Sequence, residues 1–256
     1  MPLHELFDLS GRAALVTGGS RGLGAAIATA LAEAGAHVAI TSTTEADITD
    51  RAAEIAEIAD GQIIGIVGDV ADEADCERVV AEVEGAFGRL DILVNNAGIN
   101  LRGAIHELSV ADFERSLAVN VTGTWLMCRS AHRLLAKAPA GRVINLGSTF
   151  GTIAASDRTA YTSAKGAVHQ ITRALAMEWA DIPINVNALA PGPFLTDMNL
   201  SQQYSEHALR VINQEVALKR WAEISEIIGP LLFLASDASS YVTGSILAVD
   251  GGWTTH

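Results

Sequence analysis

Short runs of aliphatic and β-branched residues recur along the chain, at 13–17, 37–42, 62–67, 91–95, 142–146, 184–189 and 246–249. Each is long enough for one strand and reads as continuously apolar, the pattern of strands covered on both faces. Between them lie longer Ala- and Glu-rich stretches with helical spacing, such as 22–34, 73–86 and 160–180. Around the second of these, Cys76, Val79, Val80, Val83 and Phe87 recur at three- and four-residue steps and mark one buried helix face. Strands alternating with helices need crossover connections. The pattern therefore predicts an α/β fold, doubly wound, with a parallel seven-stranded sheet and helices on both faces. No linker, repeat or low-complexity tract interrupts it, so residues 1–256 are read as a single domain. The stretch 191–221 breaks the rhythm: Pro191, Gly192 and Pro193 precede mixed residues with no clear strand. Long irregular insertions serve as lids or binding segments, and ligands of such sheets sit beyond the carboxyl ends of the strands. Residues 193–221 are thus the expected substrate segment. Its Phe194, Met198, Leu200, Tyr204 and Trp221, beside Asn199, Gln202 and Gln203, suit polar and apolar ligands alike.

Composition narrows the function classes. At 49% hydrophobic and 18% charged residues, this is no disordered chain. Lys and Arg number 17 against 30 Asp and Glu, and the net charge of −13 repels nucleic acid and anionic membranes, so neither is an expected partner. The longest apolar stretches, such as 227–235, fall far short of a membrane span. The first five residues show neither the basic nor the apolar region of a secretory signal. Cys76 and Cys128 are too few for a disulfide framework, which makes a reducing cytoplasm the expected location.

The first apolar run ends in Thr17, Gly18, Gly19, Ser20, Arg21, Gly22, Leu23 and Gly24, and a helical stretch follows at once. A tight strand-to-helix turn needs glycine conformations, and a diphosphate must reach bare backbone N–H groups at a helix start. The spacing T-G-x-x-x-G-x-G suits both, although a plain strand-to-helix turn is the alternative reading. Dinucleotide sites commonly place a carboxylate at the end of the second strand to hold the ribose hydroxyls. Here that place holds Ser42, Thr43 and Thr44, while Arg21 lies in the glycine turn. No repelling carboxylate and a nearby guanidinium favour NADP over NAD. Glu45 and Asp47 lie close enough in sequence to keep NAD open.

Tyr161 and Lys165 stand four residues apart in a helical stretch and so share a face. Bringing a phenol of ordinary pKa near 10 to neutrality takes about 4 kcal/mol. One ammonium about 4 Å away supplies roughly that much at an intermediate dielectric. Ser148 ends the preceding strand, where its hydroxyl can hold a carbonyl oxygen beside the tyrosine. Individually these residues read as a core tyrosine, a solvated lysine and a strand-end serine. Jointly they read as a proton-transfer device.

With these motifs in order, the chain resembles the short-chain dehydrogenase/reductase family over nearly its entire length. The resemblance rests on the 17–24 turn, Asp69, Asn95-Asn96-Ala97-Gly98, Asn120, Ser148, Tyr161, Lys165, Pro191-Gly192 and Asp250-Gly251-Gly252. It implies a Rossmann domain and NAD(P)-dependent exchange of hydride with a secondary alcohol or ketone. It implies that Tyr161 is the general acid or base, that Lys165 lowers its pKa and binds the nicotinamide ribose, that Ser148 polarises the carbonyl, and that Asn120 holds a proton-relaying water. It also implies that Asp69 and Val70 meet the adenine, that Asn96, Ala97 and Gly98 meet its ribose region, and that Pro191, Gly192, Phe194 and Thr196 meet the nicotinamide side. Members are commonly homotetramers.

Within that family, Leu6-Phe7-Asp8-Leu9-Ser10-Gly11, Ala97 to Arg102 and Ala248 to Trp253 resemble gluconate 5-dehydrogenases and other sugar-acid enzymes. Arg102 and Arg158 are then candidates to grip a substrate carboxylate, or else surface arginines. A second reading is reduction of 3-oxoacyl groups on an acyl carrier protein. Arg129, Arg133 and Lys137, spaced along one helix side, would be its docking cluster, or else a solvated edge or subunit contact. A third is a cofactor-binding regulatory protein without turnover, which would have no need of Asn120, Ser148, Tyr161 and Lys165 together. No metal motif is present, and His106 and His169 lack ligand partners at the usual spacing, so no metal is expected.

Overall fold

The computed structural model describes residues 2–196, 200 and 203–255. Met198, Asn199 and Gln202 of the expected substrate segment lie outside the described residues. The seven apolar runs form seven parallel strands: β1 (Ala13–Thr17), β2 (His37–Ser42), β3 (Ile63–Val67), β4 (Ile92–Asn95), β5 (Gly141–Leu146), β6 (Ile184–Pro191) and β7 (Ile246–Val249). Their order across the sheet is β3-β2-β1-β4-β5-β6-β7. The described helices are α1 (Gly22–Glu33), α2 (Glu45–Ala56), α3 (Glu73–Phe87), α4 (Val110–Leu117), α5 (Gly123–Leu135), α6 (Thr159–Glu178), α7 (Glu206–Arg210) and α8 (Ile228–Ala235).

Successive strand residues point to opposite faces, and this divides the core in two. Leu15, Leu93, Val143 and Val186 meet Val79, Val83, Met127 and Leu175 of α3, α5 and α6. Ala14, Val16, Ile92, Val94 and Ile144 meet Ile27, Leu31, Ile48 and Leu231 of α1, α2 and α8. Cys76, Val79, Val80 and Val83 are buried as the helical spacing requires. The expectation of fully covered strands holds for β1, β4 and β5 but not for β3 and β7. Those two are the sheet edges, where one flank has no neighbouring strand, so Val67 is exposed.

The site is positioned by topology. The chain lays β2 and then β3 on one side of β1, then crosses to pair β4 with its other side, Val16 standing between Ile40 and Val94. Loops leaving β1 and β4 therefore diverge, and a crevice opens above their carboxyl ends. Local chemistry sharpens the elements. Asp72 caps α3 by accepting from the Asp75 N–H, and Gly88, at φ 71°, ends that helix in the left-handed conformation.

One buried carboxylate ties the sheet together at the opposite end. Asp91 accepts a 2.8 Å hydrogen bond from the Ala13 N–H and is gripped by Arg89 at 2.8 and 2.7 Å. Asp91→Ala is expected to lower unfolding stability by about 2–3 kcal/mol in urea titrations, since the Ala13 amide would be left buried and unpaired. Arg89→Ala should cost clearly less, because Arg89 is largely exposed and Asp91 would keep its amide partner.

Candidate active site

A cavity of about 660 Å³ fills the crevice, running from the end of β2 to the aromatic residues beside Tyr161. The residues expected to meet the cofactor, move the proton or grip a carboxylate line it, except Thr17 and Gly19, while Leu200, Gln203 and Tyr204 of the expected substrate segment do not. Thr17 is buried beneath the floor, where its hydroxyl accepts from the Asn96 and Ala97 N–H groups at 3.0 Å. The Asn96 amide returns bonds of 2.9 Å to the Thr17 and Gly18 carbonyls. These four bonds lock the β1 loop to the β4 loop across the switch point.

The glycine turn is built by close approach. A Cβ on Gly24 would lie 2.1 Å from the Gly18 carbonyl oxygen, and Gly18 itself has φ +62° with Ala97 Cα 2.9 Å from any added Cβ. The helix α1 begins at Gly22 without a side-chain cap, so its first N–H groups point toward the cavity as an anion site. At that end the cavity is lined by Arg21, Ser42, Thr43 and also Asp47. Asp69 carries a partner the motif does not announce: Arg115 of α4 reaches it at 3.3 Å, and the Ala71 N–H donates to it at 2.9 Å. Arg115 lines the cavity beside Val70. Only the packing of α4 over the β3 loop brings it there, and 46 residues separate it from Asp69.

At the other end, Ser148 leaves β5 and accepts from the Phe150 N–H at 3.1 Å, holding a tight turn over Thr149–Gly151. Its hydroxyl and the half-buried Tyr161 phenol both line the cavity, close enough for Ser148 to favour the phenolate. One turn further along α6, the buried Lys165 amine donates to the Leu146 carbonyl at 2.6 Å and lies 5.7 Å from the centre of the Tyr161 ring. Asn120 sits where the helical chain widens into a single π turn, Ala118–Thr122, between α4 and α5. Such turns re-aim side chains. Its amide donates to the Ser116 and Ile99 carbonyls at 2.9 Å, while its buried Oδ1 has no hydrogen-bond partner. A Cβ on Gly98 would fall 2.7 Å from that oxygen and 3.7 Å from Lys165 Nζ, so only glycine keeps the space between them open.

The electrostatics differ from the expectation of an ammonium acidifying the phenol. Burial pushes the Tyr161 phenol above its ordinary value, and what opposes this is the Ser148 hydrogen bond and the charges of Arg158 and Arg102. Burial also pulls Lys165 down to about 8. Each group alone is desolvated, and each therefore favours its neutral form.

The two arginines converge through a loop contact. The Gly103 N–H donates to the Asp157 carbonyl at 3.1 Å, joining the segment after β4 to the one before α6. Asp157 adopts φ 60°, the left-handed region, immediately before Arg158. Arg158 is half-buried with its Nε unpartnered, and burial and the Arg102 charge both pull its pKa down. Two guanidinium groups that repel each other beside a half-buried phenol form a site suited to an anion. In the same cavity, Phe150, Val211, Ile212, Trp221 and Trp253 make an apolar wall.

The remaining candidates are absorbed by the fold. Arg129 and Arg133 of α5 are each paired with a carboxylate of α3, Glu73 and Glu84, so the expected basic cluster is largely neutralised. His169 is buried with its ring against Gly147 and Gly151, and His106 is exposed. Among the described residues, no group of His, Cys, Asp and Glu is arranged to hold a metal, and no helix is long and apolar enough to cross a membrane. Cys76 and Cys128 are free, buried thiols, each pushed up to about 12 chiefly by burial.

Comparison with known proteins agrees with this geometry. The family model described as enoyl-(acyl carrier protein) reductase matches residues 18–254. Galactitol 2-dehydrogenase (L-tagatose-forming) of Cereibacter sphaeroides is 42% identical over 99% of both chains. A rhamnolipid-biosynthesis 3-oxoacyl-(acyl-carrier-protein) reductase of Pseudomonas aeruginosa is 36% identical over 98% of this chain and 99% of its own. The crystal structure of a gluconate 5-dehydrogenase from Burkholderia cenocepacia, in complex with NADP and tartrate, superposes with a TM-score of 0.94 at 33% identity over the whole of both chains. The glycine turn, the Ser148–Tyr161–Lys165 grouping and the doubly wound sheet thus occur together in a chain that belongs to the short-chain dehydrogenase/reductase family, enzymes that act on alcohol groups.

Proposed function

We propose that this enzyme uses NADP(H) to interconvert a secondary alcohol and a ketone on a sugar acid such as gluconate and 5-ketogluconate. The observation that carries the reading is the pair Arg102 and Arg158, brought together beside Tyr161 in the cavity with an unpartnered Arg158 Nε. A carboxylate there would accept from the open Arg158 Nε and be held by the charge of both guanidinium groups. The relative crystallised with NADP and tartrate, a dicarboxylate, is in keeping with it.

The residues fit the cofactor. The cradle closed to any Cβ at Gly18 and Gly24 suits a diphosphate, and Arg21 with Ser42 and Thr43 suits a 2′-phosphate better than the lining Asp47 suits a free ribose diol. When bound, the nicotinamide supplies or accepts the hydride. Within the chain, Asp69, Val70, Asn96, Ala97 and Gly98 would border the adenosine half, and Pro191, Gly192, Phe194 and Thr196 would border the nicotinamide half. Ser148 holds the carbonyl oxygen. Tyr161 gives that oxygen a proton in reduction and takes it back in oxidation. Lys165 would hold the cofactor ribose and would restore the proton through its amine, and the open Oδ1 of Asn120 would position a water that carries it outward. The chain acts as a cytoplasmic homotetramer with a small-molecule substrate.

The deciding experiment is a substrate screen in both directions with NAD and NADP side by side. In it, Arg102→Ala and Arg158→Ala are each expected to raise KM for 5-ketogluconate about 10- to 100-fold, the weight of one charge-assisted hydrogen-bonded contact. An unchanged KM in both variants removes the carboxylate clamp. The second reading, a 3-oxoacyl reductase, is favoured by the apolar wall and by the relative of that activity, and disfavoured by the pairing of Arg129 and Arg133 with glutamates. Turnover of a carrier-bound 3-oxoacyl thioester without turnover of sugar acids would select it.

A further inference from the structure

The apolar wall of the cavity is held by one residue from the turn after β7. Trp253 is 8% exposed, lines the cavity, and packs edge-on against Phe150 with ring centres 5.2 Å apart. Phe150 in turn packs edge-on against Tyr161 at 6.3 Å. The Trp253 indole N–H donates to Glu215 at 3.1 Å, and Glu215 closes the π turn Val211–Glu215 that follows α7 in the substrate segment. Val211, Ile212 and Val216 complete a small core around the indole, separate from the two cores that hold the sheet.

The turn itself is rigid by construction. The Asp250 carboxylate accepts from the Gly252 and Thr254 N–H groups at 2.9 Å and from the Thr254 hydroxyl at 2.7 Å. The Gly251 carbonyl accepts from the Leu218 N–H at 3.0 Å, and an added Cβ on Gly252 would meet the Ala217 side chain at 2.8 Å. The indole is therefore fixed from both sides. One edge is set by a turn anchored to the sheet, and the other by the segment it must hold.

We infer that Trp253, fixed by Glu215 and Phe150, is a specificity-determining residue that sets the width of the substrate chamber by latching the 211–218 segment over the site. A tryptophan offers a flat, rigid, apolar face at low entropic cost and one donor at its rim, and here the donor is used on the segment rather than on the substrate. The substrate class that fits presents its C–H side to this face while an anionic end meets Arg102 and Arg158: a linear polyol acid or deoxy keto acid. This deepens the proposed sugar-acid reading and rests on the cavity being the reducing site.

The test uses the full chain with NADPH bound. Trypsin cleavage after the exposed Arg210, Lys219 and Arg220 reports the latch without any turnover. Trp253→Phe, which keeps a ring and loses the donor, and Glu215→Ala are each expected to speed that cleavage about tenfold, with Tm nearly unchanged. The double variant should be no faster than the faster single, and Glu215→Gln, which keeps an acceptor, should restore protection. Across a size-graded series of neutral and anionic ketones, Trp253→Ala should raise KM for the small ones about tenfold and admit larger ones, with KM for NADPH within twofold. Unchanged cleavage in both single variants, additive effects, or a KM for NADPH that moves as far as that for ketone would overturn the latch. Failure of the wild-type chain to turn over 5-ketogluconate, with the cleavage pattern as expected, would remove the sugar-acid reading and leave the latch standing.

Discussion

Tyr161→Phe is expected to lower kcat by about 10²- to 10⁴-fold in both directions, the range for a positioned proton donor, while KM for the cofactor stays within a few-fold. The ring packing on Phe150 survives this substitution, so only the hydroxyl is removed. Ser148 favours the phenolate and lines the same cavity, which predicts a similar but smaller loss for Ser148→Ala. Oxidation needs the phenolate and therefore rises with pH, whereas reduction needs the phenol and falls once it ionises. Because Arg158 and Arg102 pull the phenol down against its burial, Arg158→Ala should move both limbs to higher pH. Stopped-flow absorbance at 340 nm across pH separates these outcomes. Full turnover by the phenylalanine variant would end the assignment of Tyr161 as acid and base.

Lys165→Met is expected to abolish measurable turnover and, in the same chain without cofactor, to raise stability at pH 7 by about 2 kcal/mol. The sign follows from burial. Lys165 is held at about 8 in the folded chain against 10.5 in an unfolded one, so at pH 7 it stays protonated in both and folding bears the full cost of burying its ammonium. Between those two values the unfolded chain binds the extra proton, and the wild type gains stability as pH rises through them. The variant's advantage should therefore fade above about pH 8. Its lost bond to the Leu146 carbonyl offsets part of the gain. Urea midpoints for both proteins from pH 7 to 10 measure this directly. A stabilised variant without activity is the pattern expected where a group is kept for chemistry at a cost in stability.

Local spacing was sufficient for much of what the comparisons and the structure now show. Seven apolar runs became seven parallel strands, and the apolar stripe of α3 was buried as its spacing required. Boundaries moved by one or two residues, as at β6, which runs on to Pro191 because it pairs with β7 that far. The edge strands β3 and β7 were misjudged for a simple reason. An apolar run says that a segment is buried in something, but its place in the sheet order decides on how many sides. The resemblance to the family also rested on short-range motifs, each within a single turn or helix.

Other features depended on residues distant in sequence. The acidity of Tyr161 looked like a matter of one lysine four residues on, yet the charges that favour its phenolate belong to Arg158 and Arg102, the latter brought in by the Gly103–Asp157 contact. Spacing alone left Arg129 and Arg133 as a docking cluster, a solvated edge or a subunit contact, and the packing of α3 against α5 supplies their carboxylates. Arg115 beside Asp69, and Trp253 against Glu215, join segments 46 and 38 residues apart.

The amino-acid order by itself thus determined the strands, the helices, the glycine turn and the pairing of Tyr161 with Lys165 on one helix face, because backbone sterics and periodicity act over a few residues. Which charges meet at the phenol, which surface cations are cancelled and which wall bounds the substrate were decided only when the chain crossed over itself. Coulomb and contact energies depend on distance in space, and the intervening sequence carries no record of it.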